Sequence, residues 1–288
     1  MLKIGPTQQK LPNAMFKFIN DALLTLRAKM SGSVDDFQGL NGLASEASLP
    51  KNLDLSEAKR VMVFAPHPDD ECIGCGGALA MLARKKHVEV CVVLVTNGDG
   101  GANAPLPNMG AKRVEEFRSA LQLLGVSDFR MMNRMDGRFV LDFDFVKEAA
   151  ILLESFNPNW VLLPGPLDYH KDHLLVSKGV QSACAQIQSI EQLVFYETWT
   201  PLPATHVLDI TSVMELKCQA LREHGTALKY GDYERGVKGL NAYRGLYLGF
   251  NRFAEAFVVN KLSKVGGNHS LVAKLNVLGL SLKRLLGH

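Results

Sequence analysis

Two short segments of this chain hold the residue types that carry out hydrolytic chemistry. The first is Pro66-His67-Pro68-Asp69-Asp70-Glu71. His67 and Asp70 stand three apart, so both side chains can turn toward one point, and imidazole and carboxylate are suitable zinc ligands. Asp69 lies between them and cannot easily join them on a metal, which leaves it free to act as base on a metal-bound water. The second segment is Asp168-Tyr169-His170-Lys171-Asp172-His173. One of its histidines can complete a three-ligand site while the other stays unbound beside it, and Asp172 can fix a histidine's tautomer. Each segment alone also reads as a polar helix start, with its acids as N-caps favoured by the helix dipole. Their joint placement turns the balance toward a metal site.

That placement follows from the elements around them. Val61 to Ala65 is a short apolar run ended by Pro66, as in a strand buried on both faces. A helix over Gly76 to Lys86 and a second buried strand over Val88 to Thr96 follow. The segment 97–109 is rich in Gly, Pro and Asn and reads as a long loop. Lys112 to Leu124 is an amphipathic helix stopped by Gly125. The alternation continues with a strand near 129–133, a helix over 143–156 and a strand at Trp160 to Leu163. A helix after His173, a strand at 192–198, a helix at 213–224 and a final strand at Phe257 to Val259 complete it. Strands alternating with helices of this length imply parallel pairing with right-handed crossovers, hence an α/β, Rossmann-like three-layer αβα sandwich with a mostly parallel sheet. Such sheets bind ligands beyond the carboxyl ends of their strands. The loops beginning at His67, Asn97 and Asp168 each follow a predicted strand, so they should converge on one crevice.

These residues carry a resemblance. Ala65-Pro66-His67-Pro68-Asp69-Asp70-Glu71 together with His170-Lys171-Asp172-His173 is similar to the paired motifs of the LmbE/PIG-L family of zinc-dependent de-N-acetylases. Thr96-Asn97-Gly98-Asp99-Gly100 and Arg113-x-x-Glu116 agree with it, and the likeness spans about residues 60–260. The resemblance implies that His67, Asp70 and His173 hold Zn2+ with one coordination position open for water. It implies Asp69 as general base, and His170 as the group that stabilises the oxyanion or protonates the leaving amine, with Asp172 as its supporting carboxylate. It also implies Arg113 as a contact to the sugar or phosphate side of the substrate, with Asn97 and Asp99 beside it. The activity implied is removal of the N-acetyl group from an N-acetylglucosamine-type conjugate, which would be lipid-linked were the basic C-terminal stripe to meet a membrane. An amidase of a larger acyl or thiol conjugate, or a non-catalytic sugar-binding module on the same fold, are the alternatives. The chain departs from the family at His224-Gly225-Thr226-Ala227, where members often carry His-x-Ser-Gln.

Bulk properties narrow the class further. The 288 residues are 47% hydrophobic and 21% charged, which excludes disorder along most of the length. A net charge of +3 is too mild for a dedicated nucleic-acid binder. Five cysteines, three of them in apolar or helical stretches, suit reduced thiols and a cytoplasmic setting. Cys72-Ile73-Gly74-Cys75 has redox-motif spacing, but the same turn already holds the better-supported metal motif. No Gly-x-Gly-x-x-Gly follows the first strand, which argues against a nucleotide-dependent oxidoreductase. Residues 1–50 read as a helical extension, 51–260 as the catalytic domain, and 261–288 as a C-terminal amphipathic helix with Lys274, Lys283 and Arg284 near its apolar stripe. Either terminal helix could cover a second subunit or touch the inner face of a membrane.

Overall fold

The computed structural model describes residues 49–100, 108–185 and 187–262. The expectations for the two terminal helices therefore lie outside the described residues, apart from the few residues at their borders. Eight strands form one sheet: β1 (Lys51–Asn52), β2 (Arg60–Ala65), β3 (Glu89–Thr96), β4 (Asp128–Arg134), β5 (Trp160–Pro164), β6 (Gln192–Tyr196), β7 (His206–Asp209) and β8 (Ala254–Lys261). Among the described residues six α-helices accompany them: α1 (Asp70–Ala83), α2 (Met109–Leu124), α3 (Phe143–Phe156), α4 (Lys171–Cys184), α5 (Met214–Glu223) and α6 (Tyr233–Gly245).

The strand order is β1-β7-β8-β6-β5-β2-β3-β4. All neighbouring pairs are parallel except those of β8, which runs antiparallel to both β6 and β7. Val61, Val63 and Ala65 enter the same apolar cluster as Leu79, Phe117, Leu121, Cys218 and Leu221, so α1, α2 and α5 pack together on one face. α3 packs on α4. Met62, Phe64, Val93, Val161 and Leu163, the alternate residues of the same strands, are also fully or almost fully buried. Burial on both faces explains why these strands read as unbroken apolar runs.

β2 is the pivot of the topology. From it the chain winds outward through β3 to β4, then returns to place β5 on the other side of β2. The loops after β2 and β5 thus diverge to opposite faces, and the gap between them is the switch point where doubly wound sheets bind ligands. The segments of His67 and His173 follow these two strands.

Two helix starts differ from the sequence reading, and three elements had no counterpart in it. α1 begins at Asp70, six residues before Gly76, and is broken at Cys75, whose φ of −144° and ψ of 23° are not helical. The glycines that weaken its helical signal answer to packing: a Cβ on Gly74 would lie 2.2 Å from Tyr196 Cδ2, and one on Gly77 2.5 Å from Ile210 Cγ2. α4 begins at Lys171, and its N-cap is His170 rather than Asp172; His170 Nδ1 accepts from the Asp172 amide at 3.3 Å. β1, β7 and α6 carried no readable signal, being short or, in α6, interrupted by Gly236 and Gly239. By contrast, Gly125 caps α2 with φ of 83°, and Asp142 caps α3 by accepting from the Phe145 amide. Among the described residues no helix is long and apolar enough to cross a membrane.

Candidate active site

The β2 and β5 loops bring three candidate ligand atoms to one point. His67 Nδ1 lies 3.1 Å from Asp70 Oδ2 and 3.2 Å from His173 Nε2, and His173 Nε2 lies 3.1 Å from the same carboxylate oxygen. Tetrahedral zinc ligands at about 2.1 Å from the ion stand roughly 3.4 Å from one another, so this triangle needs little change to close on a metal. All three side chains are buried. Asp70 Oδ1 has no hydrogen-bond partner, an arrangement that costs free energy unless a cation compensates it. The donor set and the unpartnered oxygen both fit a divalent metal.

Charge within the triangle agrees. Burial works to lower the pKa of His173, but the adjacent Asp70 carboxylate outweighs it and lifts the imidazole to about 9. His67 is likewise held well above its ordinary value; burial opposes this and the carboxylates of Asp136, Asp172 and Asp70 overcome it. Asp70 stays far below the usual carboxylate range despite its burial, because His173 and His67 face it. The carboxylates around the two histidines thus make this point one that favours positive charge, as a cation site does.

A further set of carboxylates orients the histidines. Asp172 Oδ2 lies 3.3 Å from His67 Nε2 and accepts from the Gly137 amide at 2.9 Å. Its imidazole partner is therefore His67, where the family resemblance implies His170. Asp168 Oδ2 stands 3.2 Å from His173 Nδ1 and accepts from the Trp199 amide, while its Oδ1 accepts from the His170 amide. Asp136 Oδ1 lies 3.2 Å from His67 Nε2. Sequence reasoning gave Asp168 no role and passed over Asp136. The signal for Asp136 was its position in an Asp-Gly turn directly after β4, where a fourth loop reaches the same crevice.

Asp69 sits beside the triangle with φ of 131°, a backbone conformation that L-residues rarely adopt. Its amide donates to Glu71 Oε2 at 3.1 Å, and its Oδ2 is 3.3 Å from Arg113 Nη2. Burial, then the Asp70 charge, raises its carboxyl to about 7, against the opposing pull of Arg113. Arg113 also donates to the carbonyls of Pro68 and Gly98, at 2.8 and 3.0 Å. Its guanidinium is thus largely buried and ties the β2 and β3 loops together, whereas the resemblance implies a substrate contact. Asn97 and Asp99 bond to each other in a turn, Asn97 Nδ2 donating to Asp99 Oδ2 and the Asp99 amide to Asn97 Oδ1.

His170 is half-buried, with its ring 4.8 Å from that of His67 and 4.7 Å from that of His173. Burial and the charges of these neighbours keep its pKa below the ordinary histidine value. His224 Nε2 lies 2.9 Å from Glu71 Oε1. Thr226 donates its amide and hydroxyl to Glu116, which ties the segment after α5 to α2. Tyr233 stands near enough to Asp69 and Arg113 to feel their charges, and its ring meets Trp199 edge-on at 5.1 Å. Neither aromatic residue is distinguishable by sequence from an ordinary core or surface position. Cys72 and Cys75 are buried and unpaired, and burial pushes both thiols well above their ordinary value, which leaves them unreactive.

Comparisons with known proteins fit this geometry. Residues 62–184 match the model of the PIG-L family, described as GlcNAc-PI de-N-acetylase. The diacetylchitobiose deacetylase of Thermococcus kodakarensis is 27% identical over 209 residues, covering 65% of this chain and 77% of that protein. A probable N-acetyl-alpha-D-glucosaminyl L-malate deacetylase of Bacillus subtilis is 28% identical over 193 residues, 58% of this chain and 83% of that protein. Among solved structures, the N,N'-diacetylchitobiose deacetylase of Pyrococcus horikoshii superposes with a TM-score of 0.65 at 24% identity, over 80% of this chain and 92% of that one. This last likeness bears on the fold.

Proposed function

The chain carries a PIG-L/LmbE-family domain over residues 62–184, and on that premise we propose that it is a zinc-dependent hydrolase that removes the N-acetyl group from an N-acetylglucosamine-type sugar conjugate. The observation that carries this reading is the triangle of His67, Asp70 and His173, with its unpartnered Asp70 oxygen and with Asp69 at its side. When bound there, Zn2+ supplies a water of pKa about 7 and polarises the acetyl carbonyl.

The protein groups perform the rest. Asp69 takes the proton from the attacking water, a task suited to a base whose own pKa lies near neutrality. Its carboxylate is held by Arg113 beside the triangle rather than among the three ligand atoms. Asp168 and Asp172 fix the ring orientations of His173 and His67. His170 is neutral near pH 7, and so stabilises the developing oxyanion as a hydrogen-bond donor rather than as a cation. The proton that the leaving amine requires then comes back from Asp69, the group that holds it after the attack. Small amino-sugar conjugates are the proposed substrates, and lipid-linked forms are among those to be tried.

A screen of free, nucleotide-linked, phosphate-linked and lipid-linked N-acetylglucosamine, scored for released acetate, tests the reading. Acetate from at least one of them, with about one zinc per chain, is the expected result. Absence of acetate from all four by the zinc-loaded protein would overturn it in favour of a different acyl group.

A further inference from the structure

We propose that Lys217, Asn241 and Glu255 are positioning residues that hold the metal-binding turn by clamping the break in α1, an inference that rests on the metal site proposed above. α1 is two half-helices meeting at Cys75. The first half carries Asp70 and Glu71 to the site, and the second is packed in the core. In an unbroken helix the Gly77 amide would donate to the Ile73 carbonyl. Here Lys217 Nζ donates to the Ile73 carbonyl at 2.9 Å, and the Gly77 amide donates to Glu255 Oε1 at 2.7 Å. The Ala78 amide donates to Glu255 Oε2 at 2.8 Å. Lys217 and Glu255 complete the link with an ion pair of 2.7 Å. The end of one half-helix and the start of the other are thus joined through a side-chain pair.

The groups are fully committed to this arrangement. The three protons of Lys217 go to Ile73, Glu255 and Asn241 Oδ1, the last at 2.9 Å. Asn241 is held in turn by donating to the Ala254 carbonyl. Lys217 and Glu255 are essentially inaccessible to solvent. A buried ion pair is an expensive way to fill a core, and an apolar pair of the same volume often serves stability as well or better. What an apolar pair cannot do is receive two backbone amides and serve one backbone carbonyl at a helix break. Space has been cleared for it: a Cβ on Gly76 would press on Lys217 Cγ at 3.2 Å, and one on Gly77 would stand 3.0 Å from Glu255 Oε1. The angle between the half-helices sets where Asp70 Oδ2 meets the two histidines, so the clamp acts on the metal through Asp70.

Co2+ binding by the full-length chain, followed by its visible absorption, tests this without reliance on turnover. The variants are Glu255→Gln, Lys217→Met and the milder Asn241→Ala. Leu153→Ala serves as a control that weakens the core under α3, far from the break. At temperatures where circular dichroism shows each protein fully folded, the clamp variants should bind Co2+ roughly tenfold or more weakly, with an altered absorption band. Leu153→Ala should lower the melting temperature and leave Co2+ affinity and spectrum unchanged. Wild-type affinity and spectrum in folded Glu255→Gln and Asn241→Ala would overturn the inference while leaving the metal site intact. If Lys217→Met does not fold, Asn241→Ala decides by the same criterion. Failure of the wild-type chain itself to bind Co2+ would remove the metal site and this inference together.

Discussion

Asp69 and its neighbours show how adjacent carboxylates in one motif acquire different chemistry. Asp70 faces two imidazoles and stays ionised; Asp69, one residue earlier, faces Arg113 instead and is raised to about 7 by burial and by Asp70. On the proposed mechanism Asp69→Asn should keep zinc, as read by elemental analysis, and lose activity by about 10²- to 10⁴-fold. Since a base must be deprotonated, kcat/KM of the wild type should rise with pH along an acidic limb. That limb should have its midpoint at or below about 7, because a bound cation lowers the carboxyl further. A limb that persisted unchanged in Asp69→Asn would assign it to another group. His67, Asp69, Asp70, His170, Asp172 and His173 were all visible as candidates from type and spacing. Their pairings were not. Asp172 serves His67 and Asp168 serves His173 because each loop's approach angle decides which imidazole edge a carboxylate reaches.

At the scale of elements, cap chemistry and glycine packing give separable predictions. Asp142 caps α3 on the exposed surface, away from the crevice. Asp142→Ala should cost about 1 kcal/mol in thermal or denaturant unfolding and leave turnover unchanged. Gly77→Ala would force a Cβ against Ile210 at 2.5 Å. Overpacking of that kind costs about 1–3 kcal/mol, and a melting temperature equal to wild type would show that the break in α1 can yield to accommodate the methyl group. Strands β2, β3 and β5 were legible because burial on both faces makes them continuous apolar runs. The start of α1 was not. Its first turn is polar and its middle is glycine, features that local propensity scores against a helix and that tertiary contacts with Tyr196, Ile210 and Lys217 require.

For the whole molecule, the buried histidines link stability to pH and to metal. A histidine with a raised folded-state pKa adds stability that is complete below its unfolded value near 6.5 and disappears as pH rises through the folded value. For His173 that window runs from 6.5 to about 9, and His67 acts in the same direction. Asp69, an acid raised from 3.8 to about 7, also favours the folded state less as pH climbs through that interval. Asp70 has the opposite sign, and its contribution is lost only in strong acid. The chelator-treated protein should accordingly lose melting temperature between about pH 6.5 and 9. Zinc should restore it, since a ligand that binds only the folded state stabilises by mass action. A chelator-treated melting temperature that rises over this interval would contradict the charge assignment. By itself the sequence determined the α/β class, the candidate ligands and the family likeness, because apolar periodicity and motif spacing are local properties of the chain. Tertiary structure decided that β5 lies beside β2, and so that His173 meets His67 and Asp70 from across the switch point. It likewise decided that Asp136 lies against His67, Asp168 against His173, and that Lys217 pairs with Glu255 beside the break in α1. These contacts either join residues 38 to 106 positions apart or, for Asp168 and His173, depend on loop direction, and no local pattern encodes either.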